Sequence, residues 1–380
     1  MIQHPIWAEI DLGAIAHNCR RIRGHIQPKT GFMAVVKAGG YGHGAKEVAR
    51  TVLEHGADQL AVARLQEALE LRQAGIEASI LILGWTSAWD IDLLLEQDLV
   101  QSVFDLEQAR ELSHAAQARG RKLKCHLKLD TGMGRLGLPA QDAGSSTRAQ
   151  PKLLQAIQEI FQLPGLWVQG LYTHLAQADN PDLSHCKGQL ACLQTVLEQM
   201  RRQGLEPGLC HAANSAGVLN LQESHLDLIR PGLILYGLYP ELNRANLELK
   251  PAMHLKARVI QVRELLPGHT VSYGSTFVAR DRVRIATVPT GYADGYPRIL
   301  SNQGQMLLKG HRATVAGRVC MDLTMLDVSH IPGVEAGDEV LILGEQQGQG
   351  IRAEELGSLS CSINYEIVSR LGSRVPRLYI

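Results

Sequence analysis

A lysine at the end of an apolar run is the residue of this chain best placed for covalent chemistry. Lys37 closes the run 32–36 and precedes a glycine-rich turn that contains Tyr41. A buried strand would fix the amine, burial would lower its pKa below the free value of about 10.4, and the glycines would let backbone approach a ligand. These are the requirements of an imine-forming amine. The alternative, a solvated charge at a strand end, is the commoner situation for a lysine.

Other polar residues stand where later apolar runs end. They are Lys128, Arg135, His174, Ser215 and Arg230. In a barrel of parallel strands the carboxyl ends of the strands meet at one face, where barrel enzymes place their chemistry. Gly232 and Leu233 follow Arg230-Pro231 and would begin a short helix whose free N–H groups could bind phosphate. Together these positions predict a phosphate site beside the Lys37 amine.

Several of these residues also have a structural interpretation. His174 could be a core histidine with satisfied hydrogen bonds, and Ser215 could be a helix cap. Tyr273 could be a half-buried sheet aromatic, and Met321-Asp322 could be an in–out pair on a strand. Each residue alone leaves both interpretations open.

The run 132–137 matches the spacing GxGxxG, but it does not indicate a dinucleotide site. Such a fingerprint opens a helix directly, whereas Pro139 and a polar stretch follow here. The run therefore predicts a tight turn that projects Arg135 into the site.

The elements that position these residues alternate between strand and helix patterns. Strand signals occur at 32–37, 59–63, 79–83, 99–104, 123–130, 166–174, 209–213 and 226–230. Eight such repeats predict a TIM-like (β/α)8 barrel over residues 12–240, with a doubly wound sheet as the alternative. Period-two alternation, as in 254–263 and much of 311–328, predicts a mainly β domain without crossover helices over residues 241–380. We expect residues 1–11 to join that second domain.

Composition excludes several classes of partner. The 380 residues contain 38 basic and 38 acidic side chains, so we expect neither nucleic acid nor an anionic membrane as a partner. The seven cysteines lack CxxC spacing and the 15 histidines lack HExxH spacing, so we expect no disulfide framework and no metal. No signal peptide or long apolar segment is apparent, which predicts a cytoplasmic protein.

Ordered motifs along nearly the whole chain closely resemble the alanine racemase family. They are WAEIDL at 7–12, AVVK at 34–37, YGHG at 41–44, LDTGMGRLG at 129–137, YTH at 172–174, RPG at 230–232, VSYG at 271–274, GYADGYPR at 291–298, CMD at 320–322, NYE at 364–366 and RVPR at 374–377. The resemblance implies an isomerase with a barrel and a β domain that uses pyridoxal 5'-phosphate to interconvert L- and D-alanine.

The resemblance also implies a role for each matching residue. Lys37 would bind the cofactor as an imine and act as one base, while Tyr273 would act as the other base on the opposite face of the substrate α-carbon. Arg230, oriented by His174, would keep the pyridine nitrogen unprotonated. The phosphate would be held by Tyr41, Ser215, Gly232, Leu233 and Tyr365, and the substrate by Arg135, Met321 and Asp322. Lys128 matches a lysine that is carbamylated in some members and would then hold Arg135. An outer entry corridor would be formed by Asp179, His211, Tyr292, Arg298 and Arg318.

By the same resemblance, Tyr273, Met321 and Asp322 would come from the partner chain of a homodimer, and the product would supply peptidoglycan. One departure is visible: Gly39-Gly40 replaces the common Asn-Ala, which predicts a more flexible loop. Three alternatives stay open, namely a racemase that also accepts serine, a non-catalytic pyridoxal-phosphate carrier, and a decarboxylase of the same cofactor class.

Overall fold

A computed structural model describes residues 4–140, 151–241, 243, 245–346 and 348–380. Contacts divide the chain into two compact units. The barrel unit covers 15–40 and 45–250, and the C-terminal unit covers the described residues of 1–14, 41–44 and 251–380. Strand β1 (Ile6–Ile10) belongs to the C-terminal unit. Within the described residues, no helix combines the length and apolar character needed to cross a membrane.

The barrel unit confirms all eight strand signals. Its strands are β2 (Gly31–Val35), β3 (Gln59–Val62), β4 (Ile80–Ile82), β5 (Val100–Val103), β6 (Leu123–Asp130), β7 (Leu138–Pro139), β8 (Leu166–Tyr172), β9 (Leu209–His211) and β10 (Leu228–Ile229). Apart from the short β7 beside β6, they pair in the order β10-β2-β3-β4-β5-β6-β8-β9, in parallel. Backbone bonds from Asp227 to Cys210 (3.0 Å) and from Arg230 to Ala213 (2.9 Å) join the two ends of the sheet. The doubly wound alternative is therefore wrong.

Helices follow most of these strands. In chain order they are α1 (Leu12–His25), α2 (Ala45–Glu54), α3 (Leu65–Gln73), α4 (Ile91–Glu96), α5 (Leu106–Gln117), α6 (Pro151–Gln162), α7 (Ser184–Arg202) and α8 (Ser215–Asn220). Helix α2 buries Val48, Ala49 and Val52, as its spacing predicts. Asp105 caps α5, because its carboxylate accepts a hydrogen bond from the Gln108 N–H at 2.7 Å. The near-continuous apolar strands reflect burial on both faces of the sheet.

The C-terminal unit is mainly β, as the alternating patterns predict. Its further strands are β11 (Met253–Arg258), β12 (Gln261–Leu265), β13 (Thr270–Val271), β14 (Phe277–Val278), β15 (Val283–Val288), β16 (Gln305–Leu308), β17 (His311–Val315), β18 (Thr324–Asp327), β19 (Glu339–Gln346), β20 (Gln349–Ile351) and β21 (Arg377–Tyr379). The main sheet runs β12-β15-β18-β17-β16-β19-β11-β1-β21. Antiparallel pairing of β1 with β11 shows that the N-terminal strand joins this sheet.

Two details of this unit differ from the prediction. The run 254–263 is two strands rather than one, because the chain leaves the ladder after Arg258 and resumes at Gln261 with a different partner, β15. The unit also contains two helices, α9 (Ala353–Leu359) and α10 (Asn364–Ser369). Each helix is too short for its apolar residues to show a helical period that differs clearly from the surrounding strand patterns.

Candidate active site

Lys37 follows β2 directly at the carboxyl end of the barrel. Its pKa is lowered by burial and by the charge of Arg135, while Glu67 opposes the change. The Glu67 carboxylate also accepts hydrogen bonds from Ala38 N–H at 2.5 Å and Ala63 N–H at 2.8 Å. It therefore ties the backbone after Lys37 to the start of α3. Sequence analysis missed Glu67, because Arg64 at the N-cap of α3 is not one of the side chains that mark a capping box.

The turn after Lys37 has a left-handed backbone. Ala38, Gly39, Gly40 and Tyr41 have φ of 54°, 61°, 65° and 51°. Left-handed conformation costs an L-residue about 1–2 kcal/mol, whereas glycine adopts it freely. The Gly39-Gly40 departure therefore places glycine at two of the four left-handed positions.

Arg230 is buried beneath the barrel mouth and donates to several acceptors. Its Nη2 donates to Thr173 O at 2.8 Å and to Ala212 O at 3.1 Å, and lies 3.3 Å from His174 Nδ1. Its Nη1 donates to His211 Nδ1 at 2.7 Å. Burial lowers the pKa of Arg230 to about 10, so the guanidinium stays protonated near neutral pH.

The contact with Arg230 corrects the expectation for His211. Its predicted place in an outer corridor is wrong, because the side chain is fully buried. Arginine cannot accept a hydrogen bond, so His211 Nδ1 accepts and its Nε2–H donates to His126 Nδ1 at 2.8 Å. The His211 ring also stacks on Tyr172, with 4.7 Å between centroids. Burial and the Arg230 charge lower the pKa of both histidines, which keeps them neutral.

His126 was also missed, although strand pleating places it on the same face as Lys128, two residues further along β6. Lys128 is buried, and its Nζ donates to Leu136 O at 2.6 Å. Its pKa is lowered to about 8 by burial, Arg135 and Arg230, with Asp130 opposing.

Asp130 shapes the glycine-rich run that follows β6. Its Oδ1 accepts hydrogen bonds from the N–H groups of Gly132 (3.0 Å), Met133 (2.9 Å) and Gly134 (3.1 Å). The run is thus a tight turn that carries Arg135, as the sequence predicts, and it leads into the short strand β7, which was not predicted.

The charges of four cations act on His174. Burial lowers the pKa of this imidazole well below its usual value, and Arg230, Arg135, Lys128 and Lys37 lower it further. Within the described residues, none of the four cations forms an ion pair within 4 Å. Glu67 and Asp130 offset part of this positive charge, and the excess of cations is suited to anionic ligands.

Ser215 and the residues after Arg230 lie together at the predicted phosphate site. Ser215 Oγ accepts a hydrogen bond from Gly232 N–H at 2.9 Å and contacts Ile234 N at 3.5 Å. Leu233 begins the short 3-10 helix Leu233–Tyr236 there. The cap of α8 is Asn214, whose side chain accepts from Gly217 N–H, so the interpretation of Ser215 as a cap is wrong.

The remaining predicted residues lie in the C-terminal unit, except Asp179. The rings of Tyr41 and Tyr365 pack with centroids 6.3 Å apart, and burial raises the pKa of Tyr41. Tyr273 is 72% exposed and Met321 52% exposed. The Ser272 hydroxyl donates to Arg318 O at 2.6 Å and lies 3.3 Å from Cys320 Sγ, which joins the segments carrying Tyr273 and Met321.

Asp322 is fixed by Arg374, which donates to its Oδ1 at 2.7 Å and contacts Asp294 at 2.9 Å. Of the expected corridor residues, Asp179 lies in the barrel unit, and Tyr292, Arg298 and Arg318 lie in the C-terminal unit.

Comparisons with known proteins agree with this arrangement. Residues 10–240 match the alanine racemase N-terminal domain and residues 252–379 the C-terminal domain. A Desulforamulus reducens protein named alanine racemase is 48% identical, with 100% of each chain covered, and one from Methanococcus maripaludis is 43% identical, again with 100% of each covered.

Solved structures give the same result. An alanine racemase from Streptomyces lavendulae has a TM-score of 0.92 at 38% identity, covering 100% of this chain and 98% of that one. A Bacillus anthracis alanine racemase with bound L-Ala-P has a TM-score of 0.92 at 35% identity, covering 100% of this chain and 96% of that one.

Proposed function

The chain belongs to the alanine racemase family, and from that premise we propose that it interconverts L- and D-alanine with pyridoxal phosphate and two bases. Lys37 is one base and Tyr273 the other. The observation that carries the proposal is the group of four cations around neutral His174.

This cluster fits the proposed ligands. Pyridoxal phosphate carries a phosphate and a phenolate, and alanine adds a carboxylate. All three of these groups are anions. Ser215 Oγ accepts from Gly232 N–H and keeps its own O–H for the phosphate, and Tyr41 and Tyr365 would supply phenols. Leu233 contributes the start of the short helix. The lowered pKa of Lys37 favours the neutral amine that an imine-forming lysine needs.

When bound, the cofactor withdraws electrons from the substrate α-carbon and makes its proton removable. Arg230 would donate a hydrogen bond to the pyridine nitrogen and, because a guanidinium does not give up its proton, would leave that nitrogen unprotonated. A weaker electron sink limits side reactions. His211 and His174 support the guanidinium, so Arg230 keeps its orientation.

Racemisation removes a proton from one face of the α-carbon and returns one to the other face. A single rigid base reaches both faces poorly, so two bases are needed, each contributing roughly 10²–10⁴-fold. Lys37 and Tyr273 lie in different units, and Tyr273 is 72% exposed. A base works best away from bulk water. We therefore infer a homodimer in which Tyr273, Met321 and Asp322 complete the partner's site.

Arg135 would bind the substrate carboxylate and the cofactor phenolate, since it stands in the loop beside Lys37 and Lys128. The pKa of Lys128, about 8, leaves a usable fraction of neutral amine for carbamylation. A carbamate would reverse the charge of this side chain and hold Arg135.

In the cell, we propose a cytoplasmic enzyme that supplies D-alanine for peptidoglycan. The test is to load the purified protein with pyridoxal phosphate and follow the chirality of L-alanine and L-serine separately. Conversion of alanine, with serine slower, is expected. Absence of alanine racemisation in the loaded protein would refute the function, and equal rates would favour the broader racemase. Lys37→Ala should also abolish the visible absorbance of lysine-bound cofactor, and persistence of that band would exclude Lys37.

A further inference from the structure

The C-terminal unit contains a side chain whose contacts join the Tyr41 loop to the end of the chain. We propose that Arg377 is a positioning residue for cofactor binding: it holds the Gly42 carbonyl and so presents Tyr41 to the cofactor phosphate. This inference rests on the proposed function, because Tyr41 is given its phosphate role there. It adds a residue with no assigned part in that role.

Arg377 is surrounded by backbone carbonyl groups. Its Nε donates to Gly42 O at 3.0 Å, and its Nη1 donates to Gly372 O at 2.5 Å and Val375 O at 2.6 Å. Its Nη2 donates to Leu371 O at 2.6 Å. Three of these acceptors lie within six residues of Arg377, whereas Gly42 is 335 residues away in sequence. The guanidinium therefore uses local bonds to fix its plane and one remote bond to hold the loop.

The same loop packs closely against the end of the chain at two glycines. A Cβ on Gly42 would lie 2.1 Å from Val368 O, and a Cβ on Gly44 would lie 1.9 Å from the Tyr379 hydroxyl. Val368 is on α10, one turn after Tyr365. The backbone of the loop thus rests on the helix that carries the other phenol of the phosphate site.

These contacts fix the position of the loop against the end of the chain. The preceding residues 38–41 have a left-handed backbone, which costs Ala38 and Tyr41 conformational energy. The Gly42 carbonyl, adjacent to Tyr41, is the point where Arg377 grips the loop. Loss of the hydrogen bond from Arg377 to Gly42 O should allow Tyr41 to move while Tyr365 stays on its helix.

The charge of Arg377 strengthens this contact. Within the described residues it forms no ion pair, so its charge is satisfied by the four carbonyl groups alone. Hydrogen bonds from a charged donor contribute more than neutral ones. Lysine at this position would keep the charge but could not present a planar fork to four carbonyl groups.

The experiment measures the dissociation constant of pyridoxal phosphate for the apo form of the full chain. Arg377→Met removes all four hydrogen bonds, and the loss of the charge-assisted one to Gly42 O is expected to raise this constant about 10–100-fold. Arg377→Lys should raise it by a smaller factor. Arg258→Met is the matched control: Arg258 lies in the same unit and donates to a carbonyl, Gly337 O at 3.0 Å, far from the loop in sequence. Its dissociation constant should stay within about twofold of the parent.

A double-mutant cycle with Tyr41→Phe decides whether Arg377 acts through Tyr41. In that background Arg377→Met should add less than about threefold to the dissociation constant. An unchanged constant in Arg377→Met, or its full effect in the Tyr41→Phe background, overturns the inference and leaves the proposed function intact. Tyr41→Phe with parental affinity refutes the phosphate role of Tyr41 and the inference with it. If Arg377→Met does not fold, Arg377→Lys carries the same cycle.

Discussion

Replacing His211 with leucine is expected to destabilise the barrel unit by about 3 kcal/mol. Leucine fills a similar space but has no acceptor for the Arg230 Nη1, which now lies 2.7 Å from His211 Nδ1. A hydrogen bond from a charged donor contributes about 1.5–3 kcal/mol. His126 Nδ1, 2.8 Å from His211 Nε2, loses its donor as well, at about 1–3 kcal/mol for a buried group. Part of this loss is offset by the greater hydrophobicity of leucine.

Asparagine at position 211 is the matched control, because its side-chain oxygen lies where Nδ1 lies in histidine and can accept from Arg230. His211→Asn should therefore be more stable than His211→Leu by about 1–2 kcal/mol, although it also loses the bond to His126. Urea unfolding of the apo protein, followed by the circular dichroism of the barrel helices, is a suitable assay, since Trp85, Trp89 and Trp167 are exposed and would report unfolding poorly. If the leucine variant were at least as stable as the asparagine variant, the hydrogen bond between Arg230 and His211 would contribute nothing to the free energy of unfolding.

Further predictions concern the backbone and pH. Gly39→Ala should destabilise the chain by about 1–2 kcal/mol because its backbone is left-handed. Gly40→Ala should destabilise it more, because the added Cβ would also lie 3.2 Å from Ala45 Cα. Equal urea midpoints for the two variants would contradict this prediction. Lys128 has a pKa of about 8 in the folded chain and an ordinary value of 10.5, so the unfolded chain binds more protons between these two values. The stability that is lost by burying the charged lysine is therefore largest below pH 8 and is regained as the pH rises to about 10.5. The parent should therefore gain stability over that range relative to Lys128→Met, and parallel stability curves would refute the lowered pKa.

Sequence patterns predicted the barrel well because its strands are continuous apolar runs between amphipathic helices. The residues at strand ends followed from topology, since parallel strands bring their carboxyl ends together. Lys37, Lys128, His174 and Arg230 were found in this way, and the charges of Lys37, Lys128 and Arg230 all lower the pKa of His174. Their individual roles, and the boundaries 12–240 and 241–380, stay predictions.

What was missed depends on contacts between residues distant in sequence. His211 was assigned to an outer corridor for the same reason, and only its bond to Arg230 shows that it belongs under the site. Glu67 looks like a helix-capping residue, yet one oxygen binds the backbone after Lys37. The left-handed turn at 38–41 was hidden because Ala38 and Tyr41 have no preference for positive φ.

The central claim, two bases on opposite faces, is tested most directly by Tyr273→Phe loaded with pyridoxal phosphate in deuterated water. The variant should lose roughly 10²–10⁴-fold in racemisation yet still exchange the α-hydrogen of one alanine enantiomer, the one whose proton faces Lys37. Parental racemisation, or equal loss of exchange for both enantiomers, would contradict the two-base mechanism.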